Sequence, residues 1–280
     1  MRIVVTGGSG KAGRAIVADL RAHGHDVLNV DRNPDGAPQG QSLVADLTDF
    51  GQACDVLGGR DAVVHLAAVS GPRLLPSAET FRINTVATYN VFAAAELHRL
   101  RSVVWASSEL VLGEPWSPGR PPDRVPVSES ITSRPESSYA LSKLVGEAIA
   151  EQFARRTGIP FLGLRFSAIR EPEEYSAFPS FWADVHLRQW NLWSYVDVRD
   201  VALSVRLAVE SKIAGAETFI VAAADTVMPQ PSAELMQAVF PDVRLRRQLV
   251  GRETLLSIGK ARRLLGYRPE HSWQQHLGEP

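Results

Sequence analysis

VVTGGSGKAGRAI, residues 4–16, is a β-branched run that breaks into glycines and then resumes at helical spacing. Within a strand-like run, Arg2 to Thr6, Ile3 to Thr6 reads as a buried strand, and Lys11 to His23 as a helix closed by Gly24. Between them Gly8-Ser-Gly10-Lys-Ala-Gly13 spells G-x-G-x-x-G in the context that pattern needs, after a strand and opening a helix. One glycine permits the tight turn, one lets the backbone approach a pyrophosphate, and one lets helix and strand pack closely. The helix N-terminus adds free N–H groups and a favourable dipole. Gly10, Lys11, Ala12 and Gly13 are therefore candidate dinucleotide contacts; a plain structural turn is the competing reading.

Outward from this turn, short apolar runs alternate with helical segments. Strands are expected at Asp26 to Asp31, Ser42 to Asp46, Asp61 to Leu66, Ser102 to Ser107 and Pro160 to Arg165. Helices are expected at Phe81 to Leu100 and from about Ser138 to Thr157. Residues 33–41 and 113–137, rich in turn formers or in Pro and Ser, read as loops. Strands apolar on both faces and alternating with helices predict an α/β fold, a doubly wound parallel sheet of the Rossmann type. Residues 1–166 are expected to bind the dinucleotide and carry the catalytic groups. Residues 167–280 are expected to supply a small substrate-binding lobe and returning sheet elements, not an independent domain. The aromatic-rich stretch 168–193 reads as its substrate-covering part.

Asp31 ends the second strand, eighteen residues after Gly13. A carboxylate there accepts both ribose hydroxyls of NAD and repels a 2′-phosphate, which favours NAD over NADP. Arg32 and Lys11 pull the other way, since either cation suits a 2′-phosphate; a solvated surface charge is the plain reading of Arg32. Asp46 is expected near the adenine or as a helix cap.

Tyr139 and Lys143 lie four residues apart on one predicted helix face. Free tyrosine, with a pKa of about 10, is a poor base at neutral pH. A neighbouring ammonium and a positive nicotinamide ring both favour tyrosinate. Thirty Lys and Arg residues include only four lysines, so a lysine here is informative. Ser107 and Ser108 end a strand at the carboxyl edge of the sheet, where ligands bind in such folds. Ser108 is the choice for holding the reacting oxygen, and Ser107 for a strand-end cap.

These stretches resemble the extended short-chain dehydrogenase/reductases, the NAD-dependent epimerase/dehydratase family. TGGSGKAG, VDRNP, ADLTD, HLAAVSG, FRINTVATYNVFAAAE, WASSELVLG, YALSK, LRFSAI, YVDVRDVA and KARRLLGYRP carry the likeness over nearly the whole chain. The resemblance implies a Ser108–Tyr139–Lys143 catalytic set, Gly113 fixing the serine. It implies cofactor contacts at Gly7, Gly10, Gly13, Asp31, Asp46, Leu47, Leu66, Ala67, Ala68, Asn84, Tyr139, Lys143 and Ile169, with Asn84 alternatively bracing its helix. In length and motifs the chain is most similar to uronate dehydrogenases, and Ser70 and Ser108 match substrate positions there. Two positions depart: Ser176 stands where that group has a carboxylate-gripping arginine, and Glu109 where it has asparagine. Arg170 or Arg73 is the candidate replacement cation, and a neutral sugar or small alcohol is open as substrate.

The expected activity is hydride transfer between a sugar-like or small hydroxyl or carbonyl compound and the nicotinamide. The alternatives are an epimerase or dehydratase that retains NAD, and a non-catalytic dinucleotide sensor. Glu109 is one carboxylate beside the serine, with no second in view. Trp182, Trp190, Trp193 and Tyr195 read as pocket lining or core, Trp116 and Pro115 as a lid, and Asp197 and Asp200 as helix braces. Formal charge is −1, which points to neither nucleic acid nor an anionic membrane as partner. The lone Cys54 and the absence of a signal peptide or membrane span fit a cytoplasmic protein. His65, His98 and His186 lack ligand spacing, so no metal is expected. Helices beginning near Phe81 and Ser138 are the expected homodimer surface.

Overall fold

The computed structural model describes residues 1–33, 36–37 and 40–277. Four of the nine residues of the 33–41 loop therefore lie outside the described residues. Seven strands form one sheet: β1 Arg2–Thr6, β2 Asp26–Asp31, β3 Ser42–Val44, β4 Ala62–His65, β5 Ser102–Ser108, β6 Phe161–Phe166 and β7 Ala216–Val221. Their order is β7-β6-β5-β4-β1-β2-β3, and every pairing is parallel. This is the Rossmann arrangement expected from the sequence. The chain steps from β1 out to β3, then returns past β1 to β4, leaving a switch point between β1 and β4 where ligands bind.

Helices cover both faces: α1 Lys11–Ala22, α2 Phe50–Leu57, α3 Ser77–Leu97, α4 Ser138–Thr157 and α5 Val198–Glu210. One core packs α1 and α5 through Ile16, Val17, Leu20, Val201 and Val205 against Ile3, Val5 and Val64. The other packs α2, α3 and α4 through Val56, Val91, Phe92 and Phe153 against Val4, Val63 and Phe161. A strand between them must be apolar at successive residues, which is why Val103, Val104 and Trp105 are all buried. Each such large side chain contributes roughly 1.5–3 kcal/mol.

The eight-residue α2 was not anticipated. Asp49 caps it, accepting from Gln52 N at 2.9 Å, and only Ala53, Val56 and Leu57 are buried, too short a stripe to read as periodic. Helix α3 begins four residues earlier than expected because Pro76 starts it.

Strand β7 and helix α5 lie beyond residue 166, so the sheet is completed by the C-terminal half. The rest of that half forms a lobe over the carboxyl ends of the strands. It contains a 3₁₀ segment Pro172–Phe181, α6 Ser232–Val239, α7 Gly259–Leu264 and α8 Gln274–Leu277. Trp193, Tyr195, Tyr267 and Trp273 are fully buried there, each with its polar atom satisfied: Trp193 Nε1 donates to Val185 O, Tyr195 OH to Asp225, Tyr267 OH to Ala222 O and Trp273 Nε1 to Thr226 O. Of the four aromatics proposed as lining or core, Trp193 and Tyr195 are core, and Trp182 packs on Trp273 with ring centroids 5.3 Å apart. Trp116 is 3% exposed, with its backbone N–H on Trp190 O, so it is buried rather than a lid. Asp197 caps α5 and Asp200 accepts from Glu270 N and His271 N, as braces. Among the described residues no helix is long and apolar enough to cross a membrane.

Candidate active site

A cleft of about 820 Å³ opens at the carboxyl ends of the strands. Its floor is the glycine turn. Gly7 has a φ of +70°, and a Cβ there would lie 2.7 Å from Ala67 N, so a glycine just ahead of the motif is demanded by both conformation and space. A Cβ on Gly13 would sit 2.2 Å from Gly7 O, which is the close helix–strand packing predicted. Gly10, by contrast, faces only Gly7 O at 3.3 Å, leaving the backbone open to an incoming diphosphate. The helix α1 starts there with no side-chain cap, its first N–H groups free for an anion.

Asp31 closes the β2 side. One carboxylate oxygen accepts from Ser9 N at 3.0 Å and the other from Asn33 N at 3.2 Å. Each keeps a further acceptor site for a ribose hydroxyl. Arg32 is exposed on the cleft wall. Asp46 also lines the cleft, and its carboxyl is held below the usual range by the backbone and hydroxyl of Thr48 at 2.9 and 2.8 Å. It makes a local turn, and Asp49 rather than Asp46 caps the next helix. Lys11 lines the cleft, but its ammonium is 2.6 Å from Glu174 of the 3₁₀ segment. These walls fit a dinucleotide.

Helix α4 starts at Ser137, whose hydroxyl accepts from Ala140 N at 3.1 Å, and ends at Gly158 in the left-handed conformation. Its first two turns point Tyr139 and Lys143 at the end of β5. Lys143 is 6% exposed and donates to Ala106 O at 2.9 Å; its ammonium is 5.6 Å from the Tyr139 ring centroid. Burial brings Lys143 down to about 8. Burial also pushes Tyr139 up to about 12, with the Ser108 hydroxyl beside it pulling down and Glu109 pushing up. In the protein alone, then, desolvation outweighs the help expected from the lysine. Ser108 is set in place by accepting from Leu110 N at 3.2 Å, in a one-turn helix Glu109–Leu112 that Gly113 ends at φ +119°.

All the proposed residues but three line this cleft: Gly7, Gly10, Lys11, Ala12, Gly13, Asp31, Arg32, Asp46, Leu47, Leu66, Ala67, Ala68, Ser70, Ser108, Glu109, Tyr139, Lys143 and Ile169. Asn84 is the first exception. It is buried, accepts from Val69 N at 2.7 Å and donates to Val69 O and Ser142 Oγ, so it braces the loop after β4 against α4. Arg170 is the second. Its guanidinium meets Glu174 at 3.3 Å, the carboxylate that also holds Lys11. Arg73, the alternative cation, is the third, and Ser176 does not reach the lining either.

Several groups were not foreseen. Ser107 donates to Glu147 at 2.7 Å, and Glu147 is gripped by both ends of the buried Arg165 guanidinium. Glu147 lies four residues beyond Lys143 on the same helix face, a spacing that marks it. Glu114, Arg188, Asn191 and Ser194 gather behind Glu109 from a Pro-rich loop and a segment some eighty residues away, and no local signal joins them. Among the described residues no cluster of His, Cys, Asp or Glu has the makings of a metal site.

A parallel Rossmann sheet with this glycine turn and this tyrosine–lysine helix defines a nicotinamide-dependent oxidoreductase class. The chain belongs to the NAD-dependent epimerase/dehydratase family, whose model matches residues 3–222. It is 33% identical to an L-arabinose 1-dehydrogenase (NAD(P)(+)) of Haloferax volcanii over 62% of this chain and 69% of the other. A uronate dehydrogenase of Pseudomonas syringae is 29% identical over 61% of each chain. A short-chain dehydrogenase/reductase superfamily protein from Agrobacterium tumefaciens, solved with bound NAD, superposes with a TM-score of 0.76 at 25% identity, covering 100% of this chain and 95% of that one. UDP-glucose 4-epimerases are also among the similar proteins. The resemblance to extended short-chain dehydrogenases near the uronate enzymes therefore holds, and the protein is an enzyme using a nicotinamide dinucleotide.

Proposed function

We propose that the protein is an NAD-dependent dehydrogenase of a sugar-like or small alcohol, with Ser108, Tyr139 and Lys143 as its catalytic residues. The observation that carries this reading is their convergence on one cleft with the open Gly10 backbone and Asp31. The bound dinucleotide supplies a nicotinamide carbon that takes or returns hydride and, when oxidised, a positive ring. Ser108 holds the substrate oxygen, and Tyr139 removes its proton in oxidation or donates one in reduction. Lys143, anchored on Ala106 O, holds the nicotinamide ribose, and its charge opposes the burial that raises the tyrosine. Asp31 favours NAD over NADP by accepting ribose hydroxyls, while Lys11 is engaged by Glu174 and so is a weaker candidate for a 2′-phosphate.

We further propose that residues up to 166 bind the dinucleotide and carry catalysis while the later segments form the substrate lobe. The protein works in the cytoplasm as a homodimer joined through α3 and α4, which expose Tyr89, Leu97 and Leu141. A second reading, a family epimerase with retained NAD, is favoured by two ion pairs that cross from α1 to the 3₁₀ segment and its cap, Lys11–Glu174 and Arg14–Glu171. The test is to mix protein and NAD with sugar acids, neutral sugars and small alcohols and follow reduced nicotinamide. Net reduction supports the dehydrogenase. Silence with every alcohol, with dinucleotide released only on denaturation, moves the assignment to the epimerase.

A further inference from the structure

Once the dinucleotide contacts and the catalytic three are set aside, one titratable side chain is left in the cleft lining among the described residues: Glu109. Its neighbours in the lining include Pro72, Leu74, Leu75, Leu110 and Trp190, all without charge. Of the arginines closest in sequence to these walls, Arg73 is exposed and stays outside the lining, and the other two make their bonds elsewhere. Arg170 pairs with Glu174 at 3.3 Å, and Arg188, 6% exposed, gives its Nη2 to Asn191 Oδ1 at 3.3 Å and Ser194 O at 3.1 Å.

Behind the lining two carboxyl groups are buried. Glu109 is 3% exposed and accepts from Asn191 Nδ2 at 3.3 Å and Ser194 Oγ at 2.9 Å. Glu114, 2% exposed, has both carboxylate oxygens buried with no hydrogen-bond partner. The charge of one guanidinium, that of Arg188, reaches both carboxyl groups without an ion pair to either. An anionic substrate would add a third acidic group and, among the described residues, find no cation in this part of the lining, so its lost hydration would go uncompensated. A hydroxyl or carbonyl loses far less on entering, and a hydroxyl finds Glu109 as an acceptor.

We infer that the substrate is an uncharged hydroxy or carbonyl compound, and that Glu109 is the specificity residue that turns carboxylates and phosphates away. This rests on the dehydrogenase reading above and departs from what the uronate-type relatives bear in their names. The test uses matched pairs on one carbon skeleton, an aldose and its uronate, a cyclic alcohol and its carboxylated analogue, each with the wild-type protein and NAD. Expected is a kcat/KM at least about 100-fold higher for the neutral member of each pair. Glu109→Gln narrows that gap roughly tenfold by lowering KM for the anion, and Glu114→Gln narrows it less. A wild-type protein that prefers the anion, or does not discriminate, overturns the inference while leaving the dehydrogenase standing. If no member of any pair reacts, or binds the NAD-loaded protein by calorimetry, the dehydrogenase reading falls and this inference with it.

Discussion

At the scale of single residues, buried titratable groups around the cleft set opposing demands. His65 ends β4 fully enclosed. Thr6 Oγ1 already accepts from Leu66 N and Ala67 N, so it donates to His65 Nδ1 at 2.8 Å, and the other ring nitrogen donates to Thr88 at 3.3 Å. The neutral ring satisfies this chain, and a second ring proton finds no acceptor. Burial, helped by the Lys143 charge, brings His65 down to about 3. The unfolded chain therefore takes up a proton that the native protein refuses as pH falls from about 6.5 to about 3. Stability attributable to His65 is intact above that window and drains away inside it at about 1.4 kcal/mol per pH unit. Urea unfolding at a series of pH values should show His65→Gln with a shallower acid slope than wild type. Parallel slopes would remove His65 as the cause.

At the scale of elements, the fit between β5, β6 and α4 positions the chemistry. Trp105 on β5 lies in a slot made by two glycines: a Cβ on Gly163 would stand 3.0 Å from its ring and one on Gly146 3.1 Å. The ring is rigid and buried, so neither contact relaxes easily. Gly163→Ala should cost roughly 1–3 kcal/mol by denaturant titration, whereas Gly119→Ala, with open space around it, should be close to neutral. Equal costs would mean that Trp105 moves aside. The glycine turn, the strand serines and the Tyr139–Lys143 pair were legible in the sequence because each is a local pattern with its own geometry. The Trp105 slot was not, because Gly146 and Gly163 declare their purpose only when β5 and β6 are side by side. For the same reason Arg170 reads as a free cation in sequence and is found paired in the fold, and Asn84, readable as a cofactor contact or a brace, is found holding Val69.

At the scale of the molecule, the lobe is fastened across the cofactor end of the cleft. Lys11–Glu174 at 2.6 Å and Arg14–Glu171 at 3.1 Å join helix α1 to the 3₁₀ segment and its cap, and Arg206–Asp19 at 2.9 Å joins α1 to α5. The first two pairs are partly exposed, so each contributes at most about 1 kcal/mol to stability and weakens with salt. Their consequence is kinetic: Glu174→Gln should speed dinucleotide release roughly two- to fivefold at low ionic strength in stopped-flow displacement, a difference that fades at about 1 M salt. An unchanged rate at low salt would show that the segment does not gate the cofactor. The lobe's part in the site was the least legible, since Glu109, Glu114 and Arg188 meet only through the folding of distant segments. The central claim is that Tyr139 moves the proton. The most direct measurement is kcat/KM of wild type and Tyr139→Phe with an oxidisable alcohol across a pH series, with dinucleotide affinity measured alongside. The account predicts a loss of roughly 10²–10⁴-fold with affinity little changed, and no remaining rise with pH. A variant within tenfold of wild type that keeps the same pH profile would contradict it.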